Sequence, residues 1–514
     1  MAKICLCLTG KTLAQDLEIL NQNRTYTDLV ELRADYLAPD ERLLLRRFPE
    51  MAGVPVILSI RRGINGGEYL SGEGSRITLL AKGLAYADAD RRRNFAYVDL
   101  EEDLDVPSLE EAARAFGTRI IRSCYNLEGV IGNLPNRLKH LKRVGDELVK
   151  AVVMPRSLDD VIEVLQASRE MGDLEKIISC VGEYASISGI LAEHFGSRIT
   201  YTYPAEDCEA RPPAAHGQIS PKELAEQYRF PKITVATKVF AVAGYPLKSS
   251  PIPRFFNTIF AMEKNDAVHI PVPADSLRSL LRFAGELGIS ALSITTPYKE
   301  EVLLYAGSKS AEVLAIGACN ALTASQDTTG RWTGFNTEAR AFSDSLLTFI
   351  GRKDFRRRKI TIIGAGSAAQ AAAFEVHRLK GKALILNRIV GKARTLAEQY
   401  HFAWAGLDSR GADLMEKYSD IIIQASSVGS SDNPGDPIEF YRFSGRETLM
   451  DTIFTPEKTL CVRRAEDAGC RVLTGSDMLV RQLRYHYTHI TGKEFPPSLI
   501  SRVGVYYGNG TKSD

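Results

Sequence analysis

Three short segments in the second half of the chain carry the side chains best suited to chemistry. ITTPYK (Ile294 to Lys299) sets hydroxyls and an ammonium, Lys299, at the end of an apolar run, where a small polyhydroxylated molecule could be held by Thr295 and its neighbours. GFNTE (Gly334 to Glu338) supplies a carboxylate, Glu338, in a similar turn context, with Asn336 beside it and Asn320 in the IGACNALTA segment upstream. IIGAGSAAQA (Ile362 to Ala371) follows an apolar strand and opens an alanine-rich helix. Its Gly364, Gly366 and Ala369 fit the G-x-G-x-x-G/A spacing, in which small residues allow a tight turn and close approach of a pyrophosphate to a helix N-terminus. Gly364, Ala365, Gly366, Ser367 and Ala368 would form that contact. An ammonium and a carboxylate facing a dinucleotide site are the apparatus for reducing a ketone with NAD(P)H.

The first half carries a different set. Glu31 and Arg33 lie two apart in LVELR, so both point to one face of a strand; Arg61 follows VPVILSI, and Lys150 sits inside ELVKAVVM. Burying charges inside a barrel costs several kcal/mol unless they pair or meet a ligand. An internal salt-bridge network is one outcome. The other is a nucleophilic amine, since burial and cationic neighbours lower a lysine pKa and let it form a Schiff base with a carbonyl.

These residues need elements to position them. At 514 residues the chain is expected to form about three domains. The first 230 or so residues contain eight apolar, β-branched runs, ICLCL, LVELR, VPVILSI, FAYVDL, RIIRSCY, ELVKAVVM, KIISCV and RITYTY, most separated by charged helical stretches. That alternation predicts parallel strands closed into a barrel, with chemistry at the carboxyl ends of the strands. QYRFPKITVATK (Gln227 to Lys238) marks the boundary, and a new α/β pattern starts at Val239. After the glycine turn, the next strand ends in Asn387 and Arg388, where an NAD enzyme would carry an acid; an arginine there accommodates a 2'-phosphate and favours NADP.

Composition narrows the classes. The chain is 44% hydrophobic and 25% charged with a formal net charge of +2, so no basic field argues for nucleic acid. No run approaches the roughly 18 apolar residues of a membrane helix, nor a signal-peptide core. Eight cysteines without a C-x-x-C pair suit neither a zinc ribbon nor a disulfide framework, which points to a reducing cytoplasm. His486 and His489 are three apart on the last helix with no carboxylate or cysteine to complete a metal set, and read as packing or surface residues.

ELRAD (Glu31 to Asp35), SIRRGINGG (Ser59 to Gly67), VKAVVMP (Val149 to Pro155), FGSRITYTYP (Phe195 to Pro204) and GQIS (Gly217 to Ser220) together resemble type I 3-dehydroquinate dehydratase. The resemblance implies a (β/α)8 barrel dehydrating 3-dehydroquinate through an imine on Lys150, with Glu31, Arg33, Arg61 and Gln218 on the substrate. The segment from about 239 to 510, with DIIIQASSVG, LMDTIFTPEKT and GSDMLVRQ, resembles shikimate dehydrogenase. That resemblance implies catalysis by Lys299 with Glu338 in the place of an aspartate, and substrate contacts from Ser250, Thr295, Asn320 and Gln482. The fold class expected is α/β: the barrel, then a two-domain shikimate-dehydrogenase-like half with an α/β substrate domain and a Rossmann NADP domain. The boundaries read as 1–232, 233–345, 346–475 and a C-terminal helical segment, 476–514, returning to the substrate domain.

Several positions depart from the family patterns. Tyr125 stands at the place of the barrel's acid/base histidine, Asn65 at a glutamate, Gly189 at an arginine and Ala214 at a lid serine. A phenol with an ordinary pKa near 10 is a poor proton shuttle at neutral pH. His140, His194 and His216 read as surface or helix residues rather than substitutes. In the second half Ser249 replaces a histidine, Ile252 a serine and Ser293 an asparagine. The expected function is dehydration followed by NADPH-dependent reduction to shikimate on the shikimate pathway, with small-molecule substrates and neither nucleic-acid nor membrane partners; a quinate-type dehydrogenase with a weakened barrel, or a ligand-binding pseudoenzyme, stay open.

Overall fold

The computed structural model describes residues 1–85, 90–204, 217–247, 250–324, 332–496 and 499. The chain divides into two compact units, Met1–Ile289 and Ser290–Asp514.

In the first unit the eight apolar runs are strands: β1 (Lys3–Leu8), β2 (Leu29–Arg33), β3 (Val56–Ser59), β4 (Tyr97–Glu101), β5 (Arg119–Asn126), β6 (Leu148–Val153), β7 (Lys176–Cys180) and β8 (Ile199–Thr202). Each pairs in parallel with its sequence neighbour from β1 to β7, and β8 returns to β1. A parallel bridge of Lys176 with Ser197 and the bond from Arg198 N to Lys176 O (2.8 Å) draw β7 and β8 together. Alternation sorts the side chains: Val30 and Leu32 pack outward under the helices, while Leu29 joins Cys5, Ile57, Ile121, Leu148, Ile177, Ile199 and Tyr201 inside the barrel. Continuing the same phase by two or four residues points Glu31, Arg33, Asp99, Ser123, Tyr125 and Lys150 inward, nearer the carboxyl ends. On the outward phase Arg122 is fully buried and answered by Glu110 and Glu147, each at 2.9 Å, so this charge is structural. Beyond the barrel the first unit adds the parallel pair β9 (Lys238–Gly244) and β10 (Ala267–Pro273) with the helices Pro251–Met262 and Leu277–Leu287. The helix Leu277–Leu287 is tied to the barrel helix Leu158–Glu170 by Arg282 with Asp159 (2.6 Å) and Gln166 with Glu286 (2.6 Å).

The second unit holds two sheets. β11 (Ala291–Ile294), β12 (Ala306–Lys309), β13 (Ala321–Ala324) and β14 (Trp332–Phe335) run in the order β11-β13-β14-β12, with β13 antiparallel to both neighbours. β15 (Lys359–Ile363), β16 (Lys382–Leu386), β17 (Ala403–Ala405), β18 (Ile421–Gln424), β19 (Thr448–Asp451) and β20 (Arg471–Leu473) form a parallel sheet ordered β17-β16-β15-β18-β19-β20. The order reverses between β15 and β18, the topological switch point outside which doubly wound sheets bind nucleotides. Both faces are covered: Ile360, Ile362 and Ile385 lie in one core, Ile363, Leu384 and Leu386 in the other. The last described helix, Gly475–Thr491, packs on β11, β13 and the helix Glu338–Ile350.

Candidate active sites

Lys150 projects into the barrel and is 1% exposed. Its Nζ lies 2.8 Å from Asp99 Oδ2 and 3.5 Å from Glu31 Oε1, and 4.3 Å from the centroid of the Tyr201 ring. Burial alone would lower the ammonium, but Asp99 and Glu31 outweigh it and hold Lys150 well above the ordinary amine value. This corrects the expectation of a lysine lowered by cations: the nearest charges are carboxylates, so the resting amine is protonated, and attack on a carbonyl requires passing that proton to a carboxylate neighbour.

Glu31 is the hub of the site. Arg61 Nη2 sits 3.3 Å from its Oε1 and Cys7 Sγ 3.4 Å from Oε2. Burial raises its carboxyl, yet Lys150, Arg61 and Arg33 pull it down to about 2. Arg33 is held in a two-point bond by Asp35 (2.9 and 2.7 Å), which leaves its Nη1 without a partner among the described residues; Arg61 Nε and Tyr201 OH are buried and equally unanswered. Arg61 stacks 4.9 Å from the Tyr125 ring centroid. Tyr125 OH donates to Asp99 Oδ2 at 3.3 Å, and Ser123 Oγ bonds Asp99 Oδ1. Burial and Asp99 push the Tyr125 phenol up to about 12 against Arg61 and Lys150, so it is a protonated donor at neutral pH.

Asp99, Ser123 and Tyr201 were absent from the sequence reading. The signal for Asp99 was in FAYVDL: it shares the inward phase of Tyr97, and an acid on that phase needs a cation. Gln218 is buried at the other side of the mouth, its amide 3.4 Å from Cys180 O at the end of β7. Gly217 before it takes φ +77°, and a Cβ there would lie 2.1 Å from Gly182 O. Asn65 reaches Glu101 (3.4 Å) instead of the lysine cluster. Gly189 lies in the short helix Ala185–Ile190 with only Thr200 Oγ1 near its Cβ position. His140 ends a helix leading into β6 and His194 precedes β8, so both sit toward the amino ends of strands, away from Lys150. Ala214, His216 and Ser249 lie outside the described residues.

In the second unit Lys299 Nζ is bonded to Glu338 Oε1, and Gln482 Nε2 lies 3.4 Å from the same oxygen. Glu338 Oε2 is buried and has no partner among the described residues. The position of Glu338 is set by Asn336, whose Oδ1 accepts from Glu338 N (3.0 Å) and Ala339 N (3.1 Å) and so caps the helix that Glu338 begins. Asn320 is buried beside it; its Oδ1 accepts from Thr337 N and its Nδ2 donates to Thr337 Oγ1, both at 2.9 Å. Thr295 is half-buried at the turn leaving β11. Ser250 belongs to the first unit, where its hydroxyl accepts from Ile252 N (3.3 Å) and starts the helix Pro251–Met262.

Two model matches fall on these two sets of residues. Residues 4–234 match the type I 3-dehydroquinase model, and residues 242–322 the shikimate dehydrogenase substrate binding domain. A shikimate dehydrogenase (NADP(+)) of Caldanaerobacter subterraneus subsp. tengcongensis is 30% identical over 276 residues, 52% of this chain and 97% of that protein. The chain belongs to the shikimate dehydrogenase family, joined to a type I 3-dehydroquinase module. A Pyrococcus abyssi member of the dehydrogenase family is also 30% identical, over 52% of this chain and 97% of its own. The two-module arrangement recurs in the bifunctional 3-dehydroquinate dehydratase/shikimate dehydrogenase, chloroplastic, of Arabidopsis thaliana, 24% identical over 93% of this chain and 80% of that one.

The dehydrogenase module has a fitting place for a dinucleotide. Gly364 follows β15 at φ +115°, and a Cβ there would come 2.7 Å from Ala425 O, so only glycine serves. At Gly366 a Cβ would meet nothing within 4 Å, and the helix Ser367–Arg378 begins there with no side-chain cap. Its first N–H groups, those of Ser367 and Ala368 among them, are therefore available to phosphate oxygens. Asn387, half-buried, donates to Ile389 O (3.0 Å) at the end of the neighbouring β16, and Arg388 is exposed beside it.

His486, four residues after Gln482 on the same helix face, is buried rather than at the surface. Its Nε2 lies 2.6 Å from Ser293 Oγ, and burial, with His489 and Lys299, lowers it to about 3. An unfolded chain titrates this imidazole near 6.5, so protonation favours unfolding: the stability that neutral His486 contributes is full above about 6.5 and is lost as pH falls toward 3, at about 1.4 kcal/mol per unit. Chemical unfolding between pH 7 and 5 is expected to be less pH-dependent in His486→Phe than in the wild type; equal slopes would show that His486 is not held neutral.

Proposed function

We propose that the chain dehydrates 3-dehydroquinate to 3-dehydroshikimate at Lys150 and reduces that ketone to shikimate at Lys299 with NADPH. The observation that carries the reading is a lysine in each module set against carboxylates with polar atoms left for a ligand: Asp99 and Glu31 around Lys150, Glu338 with a buried unbonded oxygen beside Lys299.

In the barrel, Lys150 passes a proton to Asp99 and its free amine adds to the ketone; loss of water leaves an imine. The imine draws electrons from the adjacent carbon, a carboxylate removes a proton there, and the hydroxyl one carbon further departs as water, taking the phenolic proton of Tyr125. Asp99, in contact with both Lys150 and Tyr125, returns the proton to Tyr125, and a water then hydrolyses the product imine, releasing the ketone and the Lys150 amine, which takes back the proton the carboxylate removed. Arg33, Arg61 and Gln218 hold the substrate's oxygens. In the second module the bound dinucleotide supplies the hydride. Lys299 donates a proton to the forming alkoxide, Glu338 holds Lys299 through Oε1 and accepts from a neighbouring hydroxyl at Oε2, and Thr295, Asn320 and Gln482 position the ring. Gly364, Ala365, Gly366, Ser367 and Ala368 receive the pyrophosphate, and Asn387 and Arg388 the ribose phosphate. The relatives' names favour shikimate over a quinate-type substrate and NADP over NAD. Arg388→Ala is expected to raise KM for NADP+ about tenfold and leave that for NAD+ unchanged; an equal effect on both would remove Arg388 from 2'-phosphate recognition.

The domain limits that suit this division are 1–232, 233–345, 346–475 and 476–514, the last supported by the packing of Gly475–Thr491 on β11 and β13. Among the described residues no helix is long and apolar enough to cross a membrane. A cytoplasmic setting and small-molecule partners without nucleic acid complete the reading. Incubation of the full-length protein with 3-dehydroquinate and NADPH, with mass-spectrometric product identification, tests it: shikimate supports both activities, whereas reduction of added 3-dehydroshikimate alone would leave the barrel silent.

A further inference from the structure

Beneath the Lys299 and Glu338 pair runs a buried polar chain from Ser293 on β11, through His486, to Thr337 and Asn320. All four side chains are buried, between 0 and 2% exposed. The distances are 2.6 Å from His486 Nε2 to Ser293 Oγ, 3.4 Å from Nδ1 to Thr337 Oγ1, and 2.9 Å from Thr337 Oγ1 to Asn320 Nδ2. A neutral imidazole offers one N–H and one lone pair, which lets it join two hydroxyls and orient both. The Ser293 hydroxyl is thus oriented from inside the protein, and Thr337 Oγ1 lies within reach of both His486 Nδ1 (3.4 Å) and Asn320 Oδ1 (3.2 Å). Thr337 in turn takes one amide hydrogen of Asn320 and gives its own N–H to Asn320 Oδ1 at 2.9 Å, so the amide cannot flip and its second hydrogen keeps one direction.

From this arrangement the geometry points to His486 as a positioning residue for the reduction, one that aligns the Ser293 hydroxyl and the Asn320 amide with the hydroxyls of the substrate ring. The inference rests on the reductase reading above and adds to it a residue that touches neither cofactor nor reacting atoms. In a buried setting such a chain is strong when complete and costly when one member is missing, which ties ring binding to a residue one layer behind it. Neutrality matters as well: His486 and Lys299 act on each other electrostatically, and burial keeps the imidazole uncharged beside that ammonium.

The test uses full-length protein oxidising shikimate with NADP+, read as NADPH absorbance, with thermal melting in parallel. His486→Phe fills the space without hydrogen bonds and is expected to raise KM for shikimate about tenfold with KM for NADP+ unchanged. His486→Gln, which keeps a donor and an acceptor, is expected to restore part of the loss. Ser293→Ala cuts the chain at its other end with the loss of a single oxygen, is expected to raise the same KM, and decides the matter where His486→Phe does not fold. An unchanged KM for shikimate in Ser293→Ala and His486→Phe, or a rise in both Michaelis constants together, overturns the positioning role. Absence of shikimate turnover in the wild type strikes the reductase reading itself and is recognised before any variant is compared.

Discussion

Lys299→Met is expected to lower kcat for shikimate oxidation by about a hundred- to ten-thousand-fold while NADP+ still binds. The methionine keeps the stem's volume but removes the ammonium that is bonded to Glu338 Oε1 and carries a proton for an alkoxide. Gln482, 3.4 Å from that oxygen, keeps an amide contact but cannot supply the proton at neutral pH. Cofactor binding is separable because the glycine turn at Gly364 and the helix Ser367–Arg378 belong to a different sheet from β11. Steady-state kinetics beside a fluorescence titration with NADP+ decides it; a kcat within a few-fold of wild type would show that Lys299 does not handle the proton.

Lys150→Met should abolish dehydration of 3-dehydroquinate, a loss of at least about ten-thousand-fold, and with it any borohydride-trapped adduct. The same change leaves Asp99 and Glu31 buried without their shared cation, so the barrel is also expected to melt earlier, by the equivalent of about 3–5 kcal/mol. Reduction of added 3-dehydroshikimate, whose side chains lie elsewhere in the chain, serves as the internal control for overall integrity. Trapping with borohydride and peptide mass mapping distinguishes chemistry from stability: a wild-type chain that gives no adduct on Lys150 would turn the cluster into a structural ion network. Asp99→Asn sharpens the point, because it keeps the shape of the site but removes both the proton acceptor of Lys150 and the partner of Tyr125.

The barrel was legible because eight strands with apolar runs and intervening helices leave few alternatives, and because inward residues repeat every two positions. That phase alone put Glu31, Arg33 and Lys150 on the inner face. What it did not convey was the sign of the field at Lys150. Asp99 lies 51 residues away in sequence and Glu31 119, and only closure of the sheet brings both carboxylates to one amine, reversing the shift expected from arginine neighbours. The dinucleotide turn was equally legible, since glycine at Gly364 is demanded by local backbone and by the approach of Ala425 O.

His486 shows the opposite case. Its spacing from His489 put both on one helix face, but a histidine pair without a carboxylate or cysteine carries no mark of what it meets. Ser293 is 193 residues before it and Thr337 149, and their bonds exist only because the last helix packs across β11 and β13. Local patterns such as strand phase, helix starts and glycine turns depend on neighbours within a few residues, and the sequence by itself determined those: the barrel, the nucleotide turn and the two lysines. The charge state of Lys150 and the buried chain behind the reductase site depend on long-range contacts in a low-dielectric interior, where a carboxylate a few ångströms away outweighs burial, and only the tertiary structure decided them.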